Sequence, residues 1–229
     1  MELIEALRTT GSVRTFTSEP VDDAVLARVL DTARFAPSGG NRQGWRVVVL
    51  RDPAARTALR DLYLDGWYDY LALGAAGLTP WSPLSDRTAE WEALAGADAI
   101  RGAAQAGAGG FAEHLDQVPV LLVVLADLGA LAAVDRDLDR YTFAGGASVY
   151  PFTWSLLLAA REEGLGGVIT TMATRREADV KALVGAPDGY AVAAVVALGH
   201  PVAAPRRLSR TPVDGFTTVD RVDGEAFGT

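Results

Sequence analysis

Ala33-Arg34-Phe35-Ala36-Pro37-Ser38-Gly39-Gly40-Asn41-Arg42-Gln43-Gly44-Trp45 lies between two segments of opposite periodicity. Before it, Asp22 to Ala36 carries Val25, Leu26, Val29, Leu30 and Ala33 on one helical face. After it, Trp45-Arg46-Val47-Val48-Val49-Leu50 is a β-branched run suited to a buried strand. Pro37 is placed to stop the helix, and Pro37 to Gly44 reads as a loop of small and polar residues. A helix passing through such a loop into a buried strand is the unit of a sheet covered by helices.

Outward from this stretch the pattern repeats. Glu2 to Arg8 and Pro53 to Tyr63 read as helices, with Pro53 suited to a first turn. Val118 to Ala126, Val168 to Thr171 and Tyr190 to Leu198 read as further strands, and Arg175 to Val184 as a helix. Ser148 to Glu163 is apolar nearly throughout, the pattern of a helix covered on most sides, with Pro151 in its first turn and Gly164 as a left-handed cap. Three or four strands separated by helices predict a single α/β or α+β domain over 1–229. Within it 66–116 reads as an insertion, holding three of the five tryptophans, and 202–229 as an extended tail.

Composition removes much chemistry. The chain of 229 residues has 21 Lys plus Arg against 29 Asp plus Glu, a formal charge of -8, which argues against nucleic acid as a partner. It has no cysteine, hence no disulfide, thiolate metal site or cysteine nucleophile, and no metal is expected. Its only lysine, Lys181, lies in no phosphate-loop motif, and neither His-Glu-x-x-His nor Gly-x-Ser-x-Gly occurs. His114 and His200 read as structural. Gly107-Ala108-Gly109-Gly110-Phe111-Ala112 matches a dinucleotide pattern in letters, but no strand precedes it. With no basic start, no long apolar h-region and no apolar run of membrane-spanning length, the expectation is a soluble, cytoplasmic protein that engages no membrane.

Several short stretches, in order, resemble the FMN-dependent nitroreductase family: Ser12-Val13-Arg14-Thr15-Phe16 with Pro20-Val21, the Ala33 to Trp45 stretch, Gly145-Gly146-Ala147-Ser148, Gly164-Leu165-Gly166, Leu198-Gly199-His200-Pro201 and Arg210-Thr211-Pro212. The resemblance implies an α+β fold, a mixed sheet flanked by helices, and an intertwined homodimer with FMN at the subunit interface. Its second chain would cover the Ser148 to Glu163 helix and the tail residues Phe216, Val219, Val222 and Phe227.

The same resemblance assigns site residues. Ser12, Arg14 and Arg210 would hold the flavin phosphate or ribityl chain, guanidinium forks matching phosphate oxygens. Thr10 and Gly11 stand where the family usually has two arginines. Arg8, ahead of Arg206 and Arg207, is the residue placed to compensate. Pro37, Ser38 and Asn41 would reach the isoalloxazine from the partner subunit. Thr170, Thr171 and Met172 would set backbone donors near flavin N5 and O4. Trp67, Tyr70 and Trp81 in the insertion would form a lid selecting flat acceptors.

The implied activity is flavin-based hydride transfer from NAD(P)H to nitroaromatic, quinone-like or other flat electron-poor acceptors. It requires no catalytic side chain beyond the backbone near Thr171. Alternatives on the same fold are a dehalogenase, an azoline dehydrogenase, a reductase linked to coenzyme F420, or a flavin-binding protein without turnover.

Overall fold

The computed structural model describes residues 2–203 and 206–228. Four strands form one sheet in the order β1-β2-β4-β3: β1 (Trp45–Leu50), β2 (Val120–Asp127), β3 (Gly166–Thr170) and β4 (Tyr190–Gly199). All three ladders are antiparallel, with Trp45 opposite Ala126, Val120 opposite Leu198 and Gly166 opposite Gly199. The class is α+β. The parallel component of the expected mixed sheet reduces to a single bridge between Ser12 and Gly167, where the N-terminal segment lies along β3.

β2 and β4 occupy the middle of the sheet, and alternate side chains enter two separate cores. Leu122, Val124, Ala194, Val196 and Leu198 meet α2 (Asp23–Ala33) and α6 (Tyr150–Glu162) on one face. Leu121, Val123, Leu125, Val195 and Ala197 meet α3 (Pro53–Ala75) and α7 (Glu177–Val184) on the other. Two covered faces are why these strands are unbroken apolar runs although their neighbours are antiparallel. The remaining helices are α1 (Leu3–Thr9), α4 (Arg87–Leu94) and α5 (Ala97–Ala106).

Two helix ends depart from the sequence reading. α2 stops at Ala33, and Phe35 and Ala36 instead donate to Thr32 and Ala33 in tightened turns. The proline ring of Pro37 disfavours helical backbone at the residue before it, so the helix closes early. α3 does not end near Tyr63 but continues for 23 residues. Its second half buries Tyr68, Ala72 and Leu73, and Gly66, where the insertion was expected to begin, lies in mid-helix. A Cβ there would come within 2.6 Å of the Met172 carbonyl oxygen, so glycine is what lets α3 approach the turn after β3.

α6 has Pro151 in its first turn and ends in a Schellman motif: Gly164 has φ +76, its N–H bonds Arg161 O at 3.2 Å, and Leu165 N–H bonds Ala160 O at 2.8 Å. Trp45 stacks on Phe152 of this helix with centroids 4.8 Å apart. Trp154 on α6 is 37% exposed, Phe143 before that helix 85%, and Phe216 in the tail 69%. No helix among the described residues is long and apolar enough to cross a membrane.

Candidate functional site

A cleft of about 340 Å3 opens where β3 ends. β3 and the turn beyond it supply Ile169, Thr170, Thr171 and Met172, α3 supplies Tyr63, Trp67 and Tyr70, and the N-terminal segment supplies Arg14. Each arrives for a local reason. Val13 N–H bonds Gly167 O at 2.9 Å beside the Ser12 bridge, so Arg14 emerges level with the end of β3. Tyr63, Trp67 and Tyr70 fall at i, i+4 and i+7 on one face of α3.

The aromatic wall is ordered. Tyr63 and Trp67 have centroids 6.4 Å apart, Trp67 and Tyr70 5.6 Å apart and 7° from coplanar, and Tyr70 and Trp81 6.3 Å apart. The Arg175 guanidinium covers the far ring of the series, 4.8 Å from the Trp81 centroid. Gly110 to Glu113 also lines the cleft. Glu113 accepts from Gly110 N–H at 2.7 Å and from the Tyr68 hydroxyl at 3.1 Å, and His114 Nε2 lies 2.8 Å from Ala108 O. A neighbouring hollow of about 470 Å3 shares Arg14, Gly110 and Phe111 and extends to Thr17, Ser18, His114 and Gln117.

At the base of the cleft Thr170 Oγ1 donates to the Tyr63 hydroxyl at 3.1 Å. Burial pushes the Tyr63 pKa up, and the Thr170 bond and the Arg14 charge pull against that shift. Tyr63 therefore stays protonated at neutral pH.

Of the residues singled out in the sequence, Arg14, Trp67, Tyr70, Thr170 and Thr171 share this cleft, and Trp81 adjoins it through Tyr70. Ser12 lies two residues before Arg14 on the same strand-like segment. Arg8 O accepts Leu208 N–H at 2.9 Å, which fixes the stretch around Arg210 beside the end of α1. Among the described residues no carboxylate pairs with Arg8, Arg14 or Arg210.

Pro37, Ser38 and Asn41 do not line this cleft in the same chain. Their loop is fastened instead to the start of α6. Gly39 N–H donates to Ser148 Oγ at 3.0 Å, Gln43 N–H donates to Ser38 Oγ at 3.0 Å, and Asn41 adopts positive φ. Sequence reading missed Tyr63, Phe111 and Glu113. Tyr63 was detectable as the residue one helical turn before Trp67. Phe111 and Glu113 had no signal, because only the packing of 110–113 against α3 brings them to the cleft.

The lining suits a flat polar ligand: one guanidinium from Arg14 with the carboxylate of Glu113 in the same lining, the Tyr63 and threonine hydroxyls, and an aromatic wall. Fold and cleft together define an α+β protein whose candidate site lies at one end of an antiparallel sheet, between a long helix and the N-terminal segment. The profile of the Nitroreductase family matches residues 7–200, and the chain belongs to that family. A Thermus thermophilus protein named NADH dehydrogenase is 31% identical over 230 residues, spanning 89% of this chain and 88% of that protein. Among solved structures, a BluB-like flavoprotein from Clostridium difficile superposes with TM-score 0.67 at 20% identity, covering 96% of this chain and 100% of that one. The NADPH:FMN oxidoreductase from Vibrio harveyi, complexed with NAD+, gives TM-score 0.65 at 20% identity, covering 95% and 76%. The likeness to these two structures is one of fold.

Proposed function

We propose that the protein is an FMN-dependent NAD(P)H oxidoreductase of the cytoplasm that reduces nitroaromatic, quinone-like or other flat electron-poor acceptors by a ping-pong exchange. The observation that carries this reading is the convergence of Arg14, Thr170 and Thr171 with the Trp67–Tyr70 wall in one cleft. When bound, FMN supplies the hydride chemistry that no side chain here provides. Arg14 offers its guanidinium to the flavin phosphate or ribityl chain. Ser12, Arg8 and Arg210 grip the phosphate and ribityl chain. The backbone around Thr170 and Thr171 presents donors toward N5 and O4, where charge develops on reduction.

The working unit in this reading is an intertwined homodimer. Pro37, Ser38 and Asn41 of the partner subunit complete the ring pocket, and the apolar tail 202–229 covers the other chain. Segment 66–116 acts as a lid whose Trp67, Tyr70 and Trp81 stack on the acceptor and exclude water.

The test is to purify the protein and follow flavin absorbance under anaerobic conditions with NADH, NADPH and reduced F420 in separate cuvettes. The expected result is a yellow protein bleached within seconds by a nicotinamide donor and recoloured by a nitroaromatic. A colourless protein that takes up no added FMN overturns the reading. A yellow protein that none of the three donors bleaches is a flavin binder without turnover.

A further inference from the structure

Tyr63 lines the cleft with only 3% of its surface exposed. Among the described residues its single side-chain hydrogen bond is the one it accepts from Thr170 Oγ1 at 3.1 Å. Two hydroxyls carry two hydrogens, and a bond between them uses one. The other hydrogen, that of Tyr63, meets no acceptor among the described residues. Buried donors are satisfied in native proteins almost without exception, and leaving one unpaired is costly. The space beside this hydroxyl is the cleft shared with Arg14, Thr170 and Thr171.

We propose that the Tyr63 hydroxyl, oriented by Thr170, donates a hydrogen bond to a heteroatom on the edge of a flat conjugated ligand in this cleft. This deepens the flavoprotein reading and rests on it. The ligand atom is an in-plane oxygen or nitrogen, which either the flavin edge or a nitro or quinone oxygen of the acceptor can present. Stacking on Trp67 at 6.4 Å and 24° fixes the plane of the tyrosine ring and hence the arc its O–H can sweep. The raised pKa keeps the group a donor through the neutral range. A fixed donor aimed at atoms that gain negative charge favours the reduced state over the oxidised one. Thr170 is then a positioning residue, acting through Tyr63.

Tyr63→Phe keeps the ring and its stack and deletes only the O–H. On the FMN-loaded protein two quantities are measured beside wild type: the midpoint potential of the bound flavin by dye equilibration, and the Kd of 4-nitrobenzoate for the oxidised form by flavin absorbance. If the partner is the flavin, the affinity for reduced relative to oxidised FMN falls about tenfold, seen as a more negative potential. If the partner is the acceptor, the potential holds and the 4-nitrobenzoate Kd rises about tenfold. Either result supports the proposal. Thr170→Val moves the same quantity in the same direction by a smaller factor. A loaded Tyr63→Phe protein equal to wild type in both measurements overturns this inference alone. A wild-type protein that takes up no FMN overturns the flavoprotein reading and this inference with it.

Discussion

Asp135 is a buried carboxylate in the long connection between β2 and α6, and it organises that connection almost alone. It accepts from Arg140 Nη1 at 2.7 Å, from Thr142 Oγ1 at 2.8 Å, and from the backbone N–H groups of Phe143 and Ala144. The Arg140 hydrogen bond, aided by Phe143, Thr142 and Ala144 against the cost of burial, holds its pKa well below the usual carboxylate range. A depressed folded pKa contributes stability that is fully present above the unfolded value of about 3.9 and is lost as pH falls through the folded value. Asp135→Asn should therefore be less stable than wild type at pH 7, with the gap narrowing below about pH 4. Urea midpoints at pH 7, 4 and 3 measure this, and a gap independent of pH would remove Asp135 from the acid response. The arginines make a second prediction. Arg210 is exposed and, among the described residues, its side chain bonds only the Ser209 carbonyl, so Arg210→Ala should fold normally while FMN affinity drops by roughly 10- to 100-fold, the range of a charge-assisted bond. Unchanged flavin occupancy on gel filtration would exclude it from the site.

α3 shows how one element ties the core to the site. Its first half packs Leu59 and Tyr63 under the sheet, and its second half carries Trp67 and Tyr70 into the cleft. Two of its glycines should answer replacement with opposite signs. At Gly74 an added Cβ meets nothing within 4 Å, so Gly74→Ala should stabilise by about 0.5–1 kcal/mol through helix propensity. At Gly66 the same methyl would press on the Met172 carbonyl, and Gly66→Ala should cost roughly 1–3 kcal/mol and displace the Thr170–Met172 end of the cleft. Thermal midpoints of the pair decide this, and a stabilised Gly66→Ala would mean that α3 and the turn are not in firm contact. The lid role is tested on the same helix. Trp67→Ala should lower kcat/KM for flat acceptors while FMN stays bound, and an intact kcat/KM for every acceptor would make the ring mere packing. The full length of α3 was hidden in sequence because its pattern changes from amphipathic to nearly all-apolar and aromatic at Gly66, the point where helix α3 meets the turn at Met172.

Taken as one chain, the protein leaves apolar side chains uncovered on α1 with Leu3 and Ile4, on the connection before α6 with Val134 and Phe143, on α6 with Trp154, and on the tail with Phe216 and Phe227. Most of α6 is covered by its own chain, with Phe152, Leu156, Leu157 and Ala160 in the core, so the apolar run expected to need a second subunit leaves only Tyr150 and Trp154 exposed, while the tail exposes Phe216, Val222 and Phe227. If α6 sits in the proposed homodimer interface, Trp154→Glu should shift the protein from dimer to monomer in sedimentation velocity and release FMN with it, since in that reading the flavin pocket is completed across the interface. A dimer that persists with FMN bound would place the interface elsewhere.

The strands, the helix before Pro37, the proline-started and glycine-capped α6, and the family itself were legible in the amino-acid order, because each rests on periodicity, caps or short motifs set by neighbours in the chain. Arg14, Thr170 and Thr171 could be named from motif alone. Their meeting with Trp67 and Tyr70, the Tyr63–Thr170 bond, the arrival of Glu113 at the cleft and the Asp135 clamp arise only from tertiary structure. These contacts join residues far apart in sequence, Tyr63 and Thr170 among them, and no local preference encodes a distance between side chains that only packing of α3 across the end of β3 brings together.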